Sequence, residues 1–199
     1  MVKDTRLSKT LALLGLFLVV ATTACTKPTP APTSGTTDSE MVSPEAEEAM
    51  LVLTGEGLRF VVSQTGSTVP IDFSSDMAFA TDTVSEVLGE PESTATNTEC
   101  PAGPLTSNSW SNGLTLTAAD GQFVGWGVSS AEGAAELTTA TGIGIGSTLA
   151  DLESAYKVEL PDSTLGVEFY TGELSGLLSK TAPDGVITDM WAGTVCNFR

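Results

Sequence analysis

Three places in the chain carry residue types that could do chemistry. Ser154 and Lys157 stand at the Ser-x-x-Lys spacing, which lets a lysine act as base toward a serine nucleophile. The companion stretch Lys180-Thr181-Ala182 ends in alanine where such sites need glycine, and no Ser-Asp-Asn lies between them. The serine also falls late in its predicted helix, so the spacing is read as chance. Thr141-Gly142-Ile143-Gly144-Ile145-Gly146-Ser147-Thr148 is a glycine-rich strand-to-helix junction, a setting in which backbone N–H groups can cradle phosphate. Its third glycine comes one residue too early for the dinucleotide fingerprint, and no lysine follows for a phosphate loop. A strand edge followed by a helix cap accounts for it. Glu56, Asp72, Asp76, Glu86, Glu168, Glu173 and Asp189 could supply a carboxylate pair for hydrolysis, but with so many acids solvated surface is the simpler reading. Histidine is absent from all 199 residues. That removes the commonest general base, the Ser-His and Cys-His nucleophile pairs and the commonest zinc ligand. The acidic stretches do not match a calcium loop. No catalytic residue, metal ligand set or cofactor is assigned.

Charge narrows the partners. The net charge is −17. Lys3, Arg6 and Lys9 against Asp4 leave the first 24 residues at +2, so the rest carries −19. A nucleic-acid binder needs cations to displace counterions from phosphate, and electrostatic adsorption to anionic lipid needs them too. Both partners are excluded.

The basic start is followed by an apolar run from Leu11 to Ala21, then Thr22-Thr23-Ala24-Cys25. The run is shorter than the ~20 residues that span a bilayer and reads as a signal peptide over 1–24. The small residue before Cys25 resembles the lipobox of exported bacterial lipoproteins, with Thr22 where an aliphatic residue is usual. That resemblance implies cleavage before Cys25, a diacylglyceryl thioether on its sulfur, and a lipid-anchored extracytoplasmic location. Each buried CH₂ contributes ~0.8 kcal/mol, so two chains hold firmly. Residues 25–44 form the lipidated cysteine and a Thr/Pro-rich tether that has too few large apolar groups to offset its ordering entropy. At ~3.1 Å per residue the Pro-rich tether reaches up to roughly 60 Å. With Cys25 lipidated, Cys100 and Cys196 remain as an even pair outside the cytoplasm, the natural disulfide.

The positioning elements lie in residues 45–199. A helix is predicted from Asp76 to Leu88, ended by Gly89 and Pro91. Strands follow at Leu114–Ala118 and Gln122–Ser129 around an Asp120-Gly121 turn. A second helix runs from Leu149 to Tyr156, with Thr148 and Asp151 spaced as a capping box. Strands follow at Gly166–Tyr170, Leu174–Lys180 and Val186–Trp191. Aligning Phe73 with Ile145 divides the domain into similar halves, about 45–130 and 131–199. The expected fold is α+β: two helix-plus-antiparallel-strand halves forming one antiparallel sheet with the helices on one face. Trp126 alternates with Val124 and Val128 and is expected in the core. Trp110 and Trp191 are the weak binding candidates, since an exposed tryptophan on a sheet suits a protein or glycan surface.

Helix-then-meander halves in an acidic exported chain resemble the tandem-repeat fold of β-lactamase inhibitor proteins and the small outer-membrane-assembly lipoproteins of the SmpA/OmlA type. Leu53-Thr54-Gly55-Glu56-Gly57-Leu58, Leu137-Thr138-Thr139-Ala140-Thr141-Gly142-Ile143 and Ala192-Gly193-Thr194-Val195-Cys196 are similar to stretches of exported lipoproteins of high-GC bacteria. The resemblance implies fold and compartment and supplies no function. The function expected of the chain is a non-catalytic protein-binding or envelope-support module with an envelope protein partner. A hydrolase acting through paired carboxylates and a solute-binding lipoprotein are the alternatives. A flat patch, an acidic cleft or a pocket would separate the three.

Overall fold

The structure, a computed structural model, describes residues 49–196. The expected signal peptide, Cys25 and the tether lie outside the described residues. The described chain is α+β, with eleven strands in two sheets and two helices.

The first sheet is built from β1 (Ala49–Thr54), β2 (Gly57–Val62) and β3 (Thr68–Asp72) as an antiparallel meander. A two-residue strand, β8 (Thr138–Thr139), joins β1 in parallel. The second sheet is antiparallel and has seven strands. These are β4 (Ser93–Asn97), β5 (Leu105–Ser109), β6 (Leu114–Ala119), β7 (Gln122–Ser129), β9 (Val167–Tyr170), β10 (Ser175–Leu178) and β11 (Ile187–Gly193). Their order in space is β4-β5-β6-β7-β11-β10-β9. The single sheet expected from the sequence is therefore two. The reason lies in the first three strands, whose Leu51, Leu53, Leu58, Phe60 and Ile71 are all buried. A meander with so apolar a face must stack on another layer. Trp126 of β7 is wholly buried and its Nε1 donates to the Thr54 carbonyl at 2.8 Å, tying the large sheet to the end of β1.

Helix α2 starts where its capping box predicts, and α1 starts one residue after the expected Asp76. Helix α1 (Met77–Leu88) is capped by the Asp76 carboxylate, which accepts from the Ala78 and Phe79 amides. Gly89, at φ 75°, ends it. Helix α2 (Leu149–Ala155) begins in a capping box, with Thr148 Oγ1 accepting from the Asp151 amide and Asp151 accepting from the Thr148 amide. Each helix is entered through the same three backbone bonds. Before α1, the Ser74 amide donates to Phe123, Phe123 donates to Ser75, and Met77 donates to Gly121. Before α2, Gly146 donates to Ile187, Ile187 donates to Ser147, and Leu149 donates to Gly185.

One buried cluster joins α1 (Ala80, Val84), α2 (Leu149, Leu152), the small sheet (Leu53, Leu58, Ile71) and the large sheet (Leu116, Phe123, Trp126, Phe169, Ile187, Met190). Both helices and the small sheet thus contribute to the core against one face of the large sheet. The other face carries the site described next.

Candidate recess on the open sheet face

Side chains alternate along a strand, so the residues between the core positions of the large sheet point the other way. They are Ser107, Thr115 and Thr117, Gly127 and Ser129, Leu177, Asp189 and Trp191. The register aligns them in rows: Thr115, Gly127 and Trp191 form one, and Ser129, Asp189 and Leu177 form the next. Together they line a recess of about 380 Å³. Leu165, from the segment before β9, and Val195 and Cys196, from the chain beyond β11, line it as well.

Gly127 makes the space. A Cβ placed there would meet only the Met190 carbonyl oxygen, at 3.8 Å, and its φ is outside the left-handed region. Gly125, two residues earlier on the same face, differs. A Cβ there would collide with the Thr194 backbone, because the chain beyond β11 crosses it and Thr194 donates to the Val124 carbonyl.

That crossing segment ends at Cys196, paired at disulfide distance with Cys100, their Cα atoms 5.6 Å apart. Asn97 Nδ2 donates to Cys196 Sγ at 3.4 Å. Cys100, Leu105 and Trp191 are all buried, yet none belongs to the main core cluster. Leu105 and Trp191 line the recess on the open face.

The two tryptophan candidates part company. Trp191 lines the recess and is only 9% exposed, so it is part of a wall rather than an open platform. Strict alternation along β11 would put Ile187 on its face. In the structure the register shifts between Leu177 and Leu178, which pair with Asp189 and Ile187, so Thr188 is an extra residue. Such a bulge swaps faces. Ile187 turns into the core, and Asp189 and Trp191 stay in the recess. Trp110 is 4% exposed, belongs to the core cluster, and donates through Nε1 to the Gly89 carbonyl at 2.7 Å. It closes the end of α1 and offers no binding surface.

The other chemical candidates are held by local structure. Ser154 Oγ donates to the Ala150 carbonyl at 2.8 Å, while Lys157 Nζ lies 3.3 Å from Glu159. The Ser-x-x-Lys pair is not assembled. The glycine-rich junction serves the α2 cap. Arg59 holds Asp72 at 2.6 Å, and Asp76 caps α1. The side-chain and backbone hydrogen bonds from Thr148 hold the Asp151 carboxyl below its usual range. The hydrogen bond and charge of Lys180 do the same for Asp184. Both shifts run opposite to what a general acid needs. A second, wider cleft of about 740 Å³ at the β9 edge gathers Glu159, Asp162, Glu168 and Tyr170. Among the described residues no group of three or more acids or cysteines could hold a metal ion.

The recess was not read from the sequence. Its signal is Gly125-x-Gly127 inside β7, since glycine within a strand marks close backbone approach or an opening for a ligand. Gly125 is the first case and Gly127 the second. Comparison with protein-family models, curated proteins and solved structures gives no match.

Proposed function

We propose that this chain is a lipid-anchored extracytoplasmic module that binds a small solute in the recess and catalyses nothing. The observation that carries the reading is the side-chain-free space above Gly127, walled by Trp191, Leu177 and a row of hydroxyls. About 380 Å³ falls in the range of small-molecule sites, roughly 300–1,000 Å³. Attachment at Cys25 rests on the sequence, and the disulfide-distance pair of Cys100 and Cys196 agrees with an oxidising compartment.

The resemblance to tandem-repeat inhibitor and assembly proteins stays part of the proposal. Two features support a duplication into halves near 45–130 and 131–199. The three hydrogen bonds that enter α1 recur at matched positions before α2. The order of the large sheet also places each helix's meander on its own side, with the two last strands, β7 and β11, side by side.

A second reading, docking of an envelope protein, has its own observation. β4 is an edge strand, Ser-Thr-Ala-Thr-Asn, without charge or proline and exposed over four of its five residues. Natural edges are usually blunted by such residues, so this one could accept a partner strand.

One experiment tests the solute reading. Immobilised full-length protein, wild type or Gly127→Leu, is equilibrated with a small-molecule extract of the host envelope, and retained compounds are identified by mass spectrometry. A compound retained by the wild type and lost by Gly127→Leu is the expected result. Identical retention by both overturns the solute reading.

A further inference from the structure

We infer that the ligand of the recess is a small organic cation, a primary or substituted ammonium on a compact hydrocarbon body. This rests on the reading of the recess as a ligand site and adds the chemistry of what enters it. Of the residues that line the space, Asp189 is the one that carries charge. The rest are hydroxyls (Ser107, Thr115, Thr117, Ser129), an amide and hydrocarbon. Asp189 is partly buried and accepts from the Thr188 hydroxyl at 2.8 Å. The ion pairs among the described residues join Arg59 to Asp72, Lys157 to Glu159 and Lys180 to Asp184. None reaches Asp189, and its neighbours across the sheet, Ser129 and Leu177, are neutral.

A partly buried carboxylate with no ion-pair partner among the described residues is a ready seat for a cation. Trp191 is on the same strand face two residues on, a separation of about 7 Å. An ammonium beside Asp189 therefore comes within reach of the indole, adding a cation–π attraction. The hydroxyls of Thr115 and Ser129 can accept its remaining N–H groups. The hydrocarbon body then rests against Leu177, Leu165 and Trp191. An anion finds no positive group in the lining and meets a chain of net charge −17.

Three probes of one shape and different charge test this: phenethylammonium, phenethyl alcohol and 3-phenylpropionate. Binding to the full-length lipidated protein in neutral detergent is read by calorimetry and by tryptophan emission. Phenethylammonium is expected to bind saturably and at least tenfold more tightly than the alcohol, with no binding of the carboxylate. Asp189→Asn should erase the tenfold preference and leave the alcohol's affinity unchanged, which also shows that the variant keeps its recess. Gly127→Leu should remove all binding. Equal affinity for ammonium and alcohol, a preference that survives Asp189→Asn, or failure of the ammonium to bind overturns the cation inference. Binding that survives Gly127→Leu overturns the recess itself. The same ammonium on a lysine-containing peptide, if it bound better than the free amine, would overturn the free-solute source.

Discussion

Three glycines of the large sheet, Gly125, Gly127 and Gly176, should respond to substitution in opposite ways. Gly127→Val puts a β-branched side chain into open space at a backbone conformation that L-residues adopt. Replacing glycine in a strand interior recovers roughly 0.5–1 kcal/mol of unfolded-state entropy. Partial burial of the new methyl groups against Trp191 and Thr115 adds a few tenths more, at about 25 cal/mol per Å². The variant should be more stable by about 1 kcal/mol, a rise of roughly 2–4 °C in Tm for a domain of this size. Gly125→Ala drives its Cβ into the Thr194 backbone. Gly176→Ala drives it into the Asp189 carbonyl and the Phe169 ring. Each should cost about 1–3 kcal/mol, as overpacking does. Urea denaturation of the three variants beside wild type, disulfide intact, measures all of them. A Gly127→Val protein less stable than wild type would refute the claim that the space above it is empty. A neutral Gly125→Ala would refute the crossing of the chain over β7.

Other outcomes follow from the same contacts. Cys100→Ala with Cys196→Ala opens a loop of sequence separation 96; the chain-entropy model puts the loss at up to about 4–5 kcal/mol. Denaturation should show that loss, and Trp191 emission should move toward the red as the covering segment is released. Thr148→Ala removes the α2 cap and should cost about 1 kcal/mol by urea titration. The Asp151 carboxyl is depressed by its hydrogen bonds to Thr148. Its contribution is therefore present above the ordinary carboxylate pKa and fades as pH falls through the lowered value. Thr148→Ala should accordingly flatten the acid limb of stability against pH, below about pH 4. Trp110→Phe loses the hydrogen bond to Gly89 and should destabilise the fold by about 1–3 kcal/mol, with ligand affinity unchanged.

Both helices were legible because their ends carry chemistry that acts locally. Asp76, Gly89, Thr148 and Asp151 announce caps whatever the rest of the chain does. The Asp120-Gly121 turn was legible for the same reason, both residues having positive φ. β4 and β5 were missed because Ser-Thr-Ala-Thr-Asn and Leu-Thr-Ser-Asn-Ser carry almost no apolar alternation, and only neighbouring strands make them strands. The separate first sheet was missed because pairing partners cannot be read from alternation alone. The Thr188 bulge shows how one extra residue reverses a regular pattern: Ile187 and Asp189 would share a face by strict alternation, and the register shift between them separates the two. The candidate site was half visible. Trp191 stood out by type, Asp189 was one of seven acids read as solvated surface, and the space beside them comes from a missing side chain on β7.

Occupancy of the recess is the central claim, and native mass spectrometry tests it most directly. The protein would be released in neutral detergent from the membrane that made it, as wild type and as Gly127→Leu, and weighed without denaturation. The account predicts a wild-type species carrying one small molecule that leaves on unfolding, and a Gly127→Leu species at the bare lipidated mass. The same adduct on both proteins, or none on either, would contradict it.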